Sequence, residues 1–275
     1  METITSVKNE RVKAAAKLSA SAKARREQGL FVLEGLRLCM DVVRSGLRCA
    51  ELFVSEEFCE KHAAEYEALS AVSDEVFLVN DAVLEKLSDT KTPQGVCAVV
   101  RMPAGKDLLA AGTPAAQDAS VPKLLLLENI QDPANLGAIA RTAEALGLSG
   151  LLAVGGCDVF SPKALRASMG ALLRLPVEVV EVPADAEENA AVAAVRRAKD
   201  AGFRTFASTP DAAAVPVTDA DFSGPTLMVV GNEANGVSPE TMAACDARVT
   251  IPMAGRAESL NAAAAGAILV WEIMK

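Results

Sequence analysis

From residue 122 onward, short apolar runs alternate with stretches of helical spacing. The runs cover residues 124–127, 151–154, 177–182, 205–208, 227–230 and 249–251. Helical stretches at 136–146, 162–172, 186–201, 239–245 and 260–274 separate or follow most of them. A helix between two strands makes a crossover, so repeated strand–helix units imply a mainly parallel sheet covered by helices. The expected class is α/β. In such folds ligands bind beyond the C-terminal ends of the strands. That rule selects residues 128–135, 231–236 and 252–261 on pattern alone.

The N-terminal part is a smaller α/β mixture of about a hundred residues, within the usual range for a domain. Residues 31–34, 52–54, 76–79 and 96–100 read as strands, and 35–45 and 81–87 as helices. Between the two parts lies AGKDLLAAGTPAAQDASV, which reads as a linker. The expected domains are therefore 1–104 and 122–275, joined by 105–121.

Composition excludes several functions. Aromatics make up only 4% of the chain, so alanine, valine and leucine must build the core. Six cysteines form no CxxC pair, and His62 is the one histidine. Metal-ligand spacing is missing, and a hydrolase dyad or triad would have to be built around His62, in a polar stretch that reads as solvated. Scattered among apolar neighbours, the cysteines read as reduced core residues. The N-terminus carries no apolar signal core, and the apolar run 260–274 is short and contains Asn261 and Glu272. These features point to a cytoplasmic protein with no metal and no membrane span. The net charge of −9 argues mildly against nucleic acid. Residues 1–29, however, carry seven bases (Lys8, Arg11, Lys13, Lys17, Lys23, Arg25, Arg26) and three acids, 7 − 3 = +4. That is either a solvated helix face or a basic arm suited to RNA.

Three polar loops carry the chemistry. The first is ENIQDPAN, in which Asn135 is placed to cap a helix beginning near Leu136. Arg141 interrupts that apolar helix. Taken alone it reads equally well as an ordinary surface arginine, but its apolar neighbours suggest a buried helix, and a buried arginine needs an anionic or hydrogen-bonding partner. The second loop is GNEANG, whose glycines permit close backbone approach to a ligand. It is neither a GxGxxG fingerprint nor a phosphate loop, since Val237 and Ser238 stand where Lys and Ser/Thr would follow. Glu233 reads on its own as no more than a helix N-terminal acid. The third loop is IPMAGRAESLN, in which Ser259 or Asn261 suits a helix N-cap.

Together and in this order, ENIQDPANLGAIARTAEALG, LMVVGNEANGVSPE and IPMAGRAESLNAAAAGAILVWE resemble the SpoU (TrmH) family of RNA ribose methyltransferases. FVLEGLRL, ELFVSEE and LEKLSDTKTPQGVCAVV resemble the RNA-substrate-binding domain joined to many of its members. The resemblance implies a parallel-sheet methyltransferase domain whose C-terminal segment forms a trefoil knot. It also implies transfer of a methyl group from S-adenosylmethionine to a ribose 2′-hydroxyl of structured RNA. Large-subunit rRNA is the expected substrate, with tRNA, or a non-catalytic RNA-binding factor of the same fold, as alternatives. By position in the motifs, Gly231, Ile251 and Leu260, with Ser208 and Asn232 beside them, would contact the cofactor. Arg141 would be central to catalysis, with Asn135, Glu233, Ser259 and Asn261 positioning it, the ribose or the cofactor. Members act as homodimers with the active site completed near the subunit interface.

Overall fold

The computed structural model describes residues 2–90, 92–110, 121–181 and 188–275. Ten residues of the expected linker, 111–120, lie outside the described residues, as do Val182 and the start of the helix expected at 186. The chain divides into two compact units, Met1–Ala104 with Phe160–Arg174, and Gly105–Val159 with Leu175–Lys275.

In chain order, the first part contains β1 (Glu2–Ile4), α1 (Glu10–Ala20), α2 (Ala22–Gln28), β2 (Leu30–Glu34), α3 (Leu36–Arg44) and β3 (Cys49–Val54). It continues with α4 (Glu56–Lys61), α5 (Ala63–Ala71), β4 (Ser73–Val79), α6 (Asp81–Leu87) and β5 (Val96–Arg101). The strands form a mixed sheet in the order β1-β4-β3-β5-β2. The basic N-terminal stretch is not a free arm. Val12, Ala15 and Leu18 of α1 sit in the core, and Arg25 is buried with its guanidinium donating to the carbonyls of Leu18 and Ser19. Arg11 pairs with Glu51 at 2.7 Å and Glu75 at 2.6 Å and lies over the Phe77 ring. Two of its seven bases, Arg11 and Arg25, are therefore committed to folding, while Lys8, Lys13, Lys17, Lys23 and Arg26 are exposed.

The second part follows with β6 (Lys123–Glu128), α7 (Pro133–Ala145), β7 (Gly150–Val154), α8 (Pro162–Ala167), α9 (Ala171–Arg174) and β8 (Val177–Val180). Then come α10 (Ala190–Asp200), β9 (Arg204–Ser208), β10 (Val215–Pro216), β11 (Thr226–Val230), α11 (Pro239–Ala244), β12 (Ala247–Thr250) and α12 (Ala262–Met274). Seven strands in the order β10-β12-β9-β11-β6-β7-β8 pair in parallel throughout, as the alternating pattern required. Leu124, Leu126, Leu227 and Val229 share one face of this sheet with Ala191, Ala194, Val195 and Ala198 of α10. Helix α12 packs on α7, β6 and β11. Gly266 permits the α7–α12 approach, because a Cβ there would lie 2.9 Å from Ile139 Cγ1.

The single helix expected at 162–172 is two. Met169 and Gly170 take left-handed φ values of 51° and 81°, which ends α8 and restarts the chain as α9. These two helices belong to the first unit. Phe160 sets its ring 5.1 Å from Phe31, Arg166 pairs with Asp89 at 2.6 Å, and Arg174 pairs with the buried Asp41 at 3.0 Å. Cys39, Cys49 and Cys97 are buried thiols, whereas Cys59, Cys157 and Cys245 are half-buried. His62 joins α4 to α5, with its ring 5.2 Å from that of Phe58. Among the described residues, no helix is long and apolar enough to cross a membrane, and no group of three or more His, Cys, Asp or Glu could hold a metal ion.

Candidate active site

Loop 128–135 leaves β6 beside β11, which feeds loop 231–236. Asn129 takes a left-handed φ of 58° and donates its backbone N–H to the Val154 carbonyl at 2.8 Å. The helix cap differs from the sequence expectation. Asp132 is the N-cap of α7, its side chain accepting from Ala134 N at 2.9 Å, and Pro133 occupies the first helical position. Asp–Pro is a helix-start signal in its own right, since proline's missing N–H is unpaired there in any case. Asn135 thus lies inside the first turn, buried, and its side chain is free for another task.

That task is a relay between loops. Asn135 Nδ2 donates to Glu233 Oε1 at 3.0 Å, and Asn135 Oδ1 accepts from Asn261 Nδ2 at 3.1 Å. Asn261 in turn caps α12, its Oδ1 accepting from Ala263 N at 2.9 Å. Glu233 also accepts from Gln131 N at 3.1 Å and Asp132 N at 3.0 Å. Glu233 is therefore no helix N-terminal acid; it binds loop 231–236 to loop 128–135. Desolvation works against its ionisation, but the hydrogen bonds from Asn135, Asp132 and Gln131 outweigh it and bring the carboxyl from 4.5 down to about 2.

Loop 231–236 is closed on itself. Asn232 and Gly236 exchange backbone hydrogen bonds of 3.0 and 2.9 Å. Position 231 has to be glycine, because a Cβ would fall 2.0 Å from the Gly236 carbonyl carbon. Asn232 Nδ2 reaches the Asn129 carbonyl at 2.9 Å, tying the two loops a second time.

Under these loops is a cavity of about 240 Å³. Ser208, Gly231, Asn232, Ile251 and Leu260, the five positions expected to touch the cofactor, all line it. Glu233 and Ser259 line it as well. Sequence reasoning missed Thr209, Met253 and Leu269 on the same wall. Thr209 follows directly on β9, so the strand-end rule could have found it; Leu269 lies two turns into α12 and gave no signal. The walls suit an adenosyl group: apolar side chains from Val230, Ile251, Leu260 and Leu269 face a glycine-rich turn whose backbone is open to approach. A wider cleft of about 630 Å³ lies on the first unit, but Glu57, Asp81 and Glu85 line it against one lysine, Lys61, and none of the three loops reaches it.

Residues 122–271 match the SpoU rRNA Methylase family, and residues 9–98 match an MRM3-like substrate binding domain. The chain belongs to the SpoU rRNA methylase family. It is 30% identical over 274 residues to the 23S rRNA (guanosine(2553)-2'-O)-methyltransferase RlmP of Bacillus subtilis, covering 99% of each chain. The AdoMet-bound rRNA methyltransferase from Sinorhizobium meliloti superposes with a TM-score of 0.82 at 30% identity, covering 99% of this chain and 97% of that one. The SpoU methyltransferase AviRb from Streptomyces viridochromogenes, in complex with AdoMet, gives 0.79 at 29% identity and 97% coverage of both chains.

In this SpoU chain Arg141 stands apart from the relay. The apolar neighbours in sequence suggested burial, and the structure corrects that: Arg141 is exposed and makes no side-chain hydrogen bond or ion pair among the described residues. The period explains the error. Ala134, Ala138, Arg141 and Ala145 form one exposed stripe of α7, while Leu136, Ile139, Ala140 and Ala143 face inward. Small residues on the outer stripe made the whole helix look like core. Ser259 is exposed on the approach to the cavity.

Proposed function

We propose that this chain transfers the methyl group of S-adenosylmethionine to a ribose 2′-hydroxyl of large-subunit rRNA, as a cytoplasmic homodimer. The observation that carries this reading is the convergence on one cavity of all five residues expected to bind the cofactor. Bound there, S-adenosylmethionine supplies an electrophilic methyl group on its sulfonium. Gly231, Ile251 and Leu260 would hold the cofactor largely through their backbones, with Leu269 on the apolar wall, while Asn232, whose side chain is taken up by Asn129, Ala234 and Asn235, would shape the turn beside it. Ser208 would line the same cavity.

A neutral hydroxyl is a weak nucleophile, so the site must orient it and support loss of its proton. Arg141 is a poor base, because guanidinium keeps its proton at any physiological pH. Its role is to hold the adjoining phosphate and stabilise the developing alkoxide. With no side-chain partner among the described residues, its donors are available to a phosphate. The Asn261–Asn135–Glu233 relay fixes the first turn of α7, the helix that carries Arg141 nearly two turns further on, and Ser259 orients the ribose.

Residues 1–104 bind the RNA and residues 122–275 carry the chemistry. The C-terminal segment is threaded as a trefoil knot; in support, β12 lies beyond β9 from β11, yet α12 returns to pack on β11, β6 and α7. The homodimer uses the outer face of α7 and α12, where Ile268 and Trp271 stand 37% and 55% exposed beside small residues. The test is transfer of labelled methyl groups from S-adenosylmethionine to purified 23S rRNA and to tRNA, followed by alkaline hydrolysis. An alkali-resistant dinucleotide from 23S rRNA is expected. Label only in tRNA would replace the substrate, and no transfer to either would contradict the enzymatic reading.

A further inference from the structure

Glu233 reaches from loop 231–236 back to the end of loop 128–135. A second carboxylate makes the opposite crossing. Glu128, the last residue of β6, is only 7% exposed. Its Oε2 accepts the backbone N–H of Ser238 at 3.0 Å. Its Oε1 accepts the hydroxyls of Ser238 at 2.7 Å and Thr241 at 2.8 Å. Asn189 Nδ2 adds a longer contact at 3.5 Å. Ser238 ends the loop and is the N-cap of α11, and Thr241 is fully buried.

We infer that Glu128 is a positioning residue for the cofactor: it fixes the exit of loop 231–236 against the end of β6 and so sets the cavity wall. Only Val237 separates Gly236 from Ser238, and the wall between Gly231 and Gly236 is a closed turn with no slack. Glu233 and Asn232 hold the near end of that turn; Glu128 holds the far end. A buried carboxylate with this many donors is costly to leave half-satisfied, so its loss moves the turn rather than leaving a gap. Glu128 itself does not line the cavity, so it acts through Ser238 and Thr241 and touches no reacting atom.

The inference rests on the reading that the cavity takes S-adenosylmethionine, and its test separates the two. S-adenosylmethionine affinity, KM for the cofactor, kcat at saturating cofactor and melting temperature are measured for the wild type, Glu128→Gln, Thr241→Val and the double variant. Glu128→Gln keeps the shape but lacks one acceptor, and is expected to raise Kd and KM for the cofactor about tenfold, the scale of one charge-assisted hydrogen bond. The kcat should stay near the wild-type value. Thr241→Val should raise Kd less, and adding it to Glu128→Gln should cost less than its effect alone, because both remove the same contact. Glu128→Gln that is folded and binds as tightly as the wild type overturns the inference. So do additive effects, or a kcat that falls while KM stays fixed. If Glu128→Gln does not fold, Thr241→Val with unchanged Kd overturns it. A wild-type chain that binds no S-adenosylmethionine brings down the cofactor reading itself, and this inference with it.

Discussion

Asn135 and Arg141 lie on one helix, six residues apart, in opposite surroundings. Asn135 is buried, with both ends of its amide paired, to Glu233 and to Asn261. Arg141 is exposed and has no partner among the described residues. The same contrast divides the whole site. The loops over the sheet are cross-tied by Glu128, Asn129, Asn232 and Glu233, so the walls of the 240 Å³ cavity are tied to one another within the chain. The outer stripes of α7 and α12 carry no such ties among the described residues: Arg141 is exposed on α7, and Ile268 and Trp271 are exposed on α12. Under the proposed function, binding the methyl donor would need one chain, whereas the chemistry would wait for an RNA phosphate and a second subunit at that face.

The contrast breaks most sharply at the cavity wall. Leu260→Arg places a charged side chain in the space for the adenosyl group and should abolish S-adenosylmethionine binding by calorimetry. Leu260 is 37% exposed, so the fold should survive. Unchanged affinity in the folded variant would remove Leu260, and with it the mapping of Gly231 and Ile251, from the pocket. Arg141→Ala comes next. Turnover should fall about a hundredfold, the scale of losing one preorganised electrostatic group, while cofactor affinity holds. Arg141→Lys should recover only part of the rate, because an ammonium lacks the guanidinium fork. A fully active Arg141→Ala enzyme would leave the outer face without a catalytic role.

The smallest effect is one of pH. Glu233 titrates at about 2 in the folded chain against an ordinary 4.5. A lowered carboxylate pKa stabilises the fold above the ordinary value, and that contribution is lost as pH falls from about 4.5 toward 2. Glu233→Gln should therefore flatten the acid limb of the stability profile in that window, seen by chemical denaturation at successive pH values. An acid limb as steep as in the wild type would show that the carboxylate does not tie the loops.

Sequence pattern revealed the parallel sheet because each strand is a short apolar run between helical stretches; 227–230 and 124–127 became adjacent central strands. The strand-end rule located all three loops. Residue types then limited what could be read. Asn135 looked like a cap because asparagine caps helices, and only the fold shows that Asp132 takes that place. Glu233 looked like a helix N-terminal acid and Glu128 gave no signal of its own, since their partners lie about a hundred residues away and form no local period. Arg141 looked buried because alanines serve equally on an inner face and on a face awaiting a partner. Residues Phe160–Arg174 carried no sign of joining the first unit, because Phe31, Asp41 and Asp89, which receive them, are distant in sequence.

The central claim is that cofactor binding is complete in one chain and catalysis is not. Trp271→Glu puts a charge on the outer face of α12, away from the cavity, where Trp271 is 55% exposed and contributes little to the chain's own core. Sedimentation, S-adenosylmethionine titration and methyl transfer to 23S rRNA on this one variant test the claim. The account predicts a monomer that binds the cofactor with wild-type affinity and transfers almost no methyl group. A monomer that methylates RNA at the full rate, or one that no longer binds the cofactor, would contradict it.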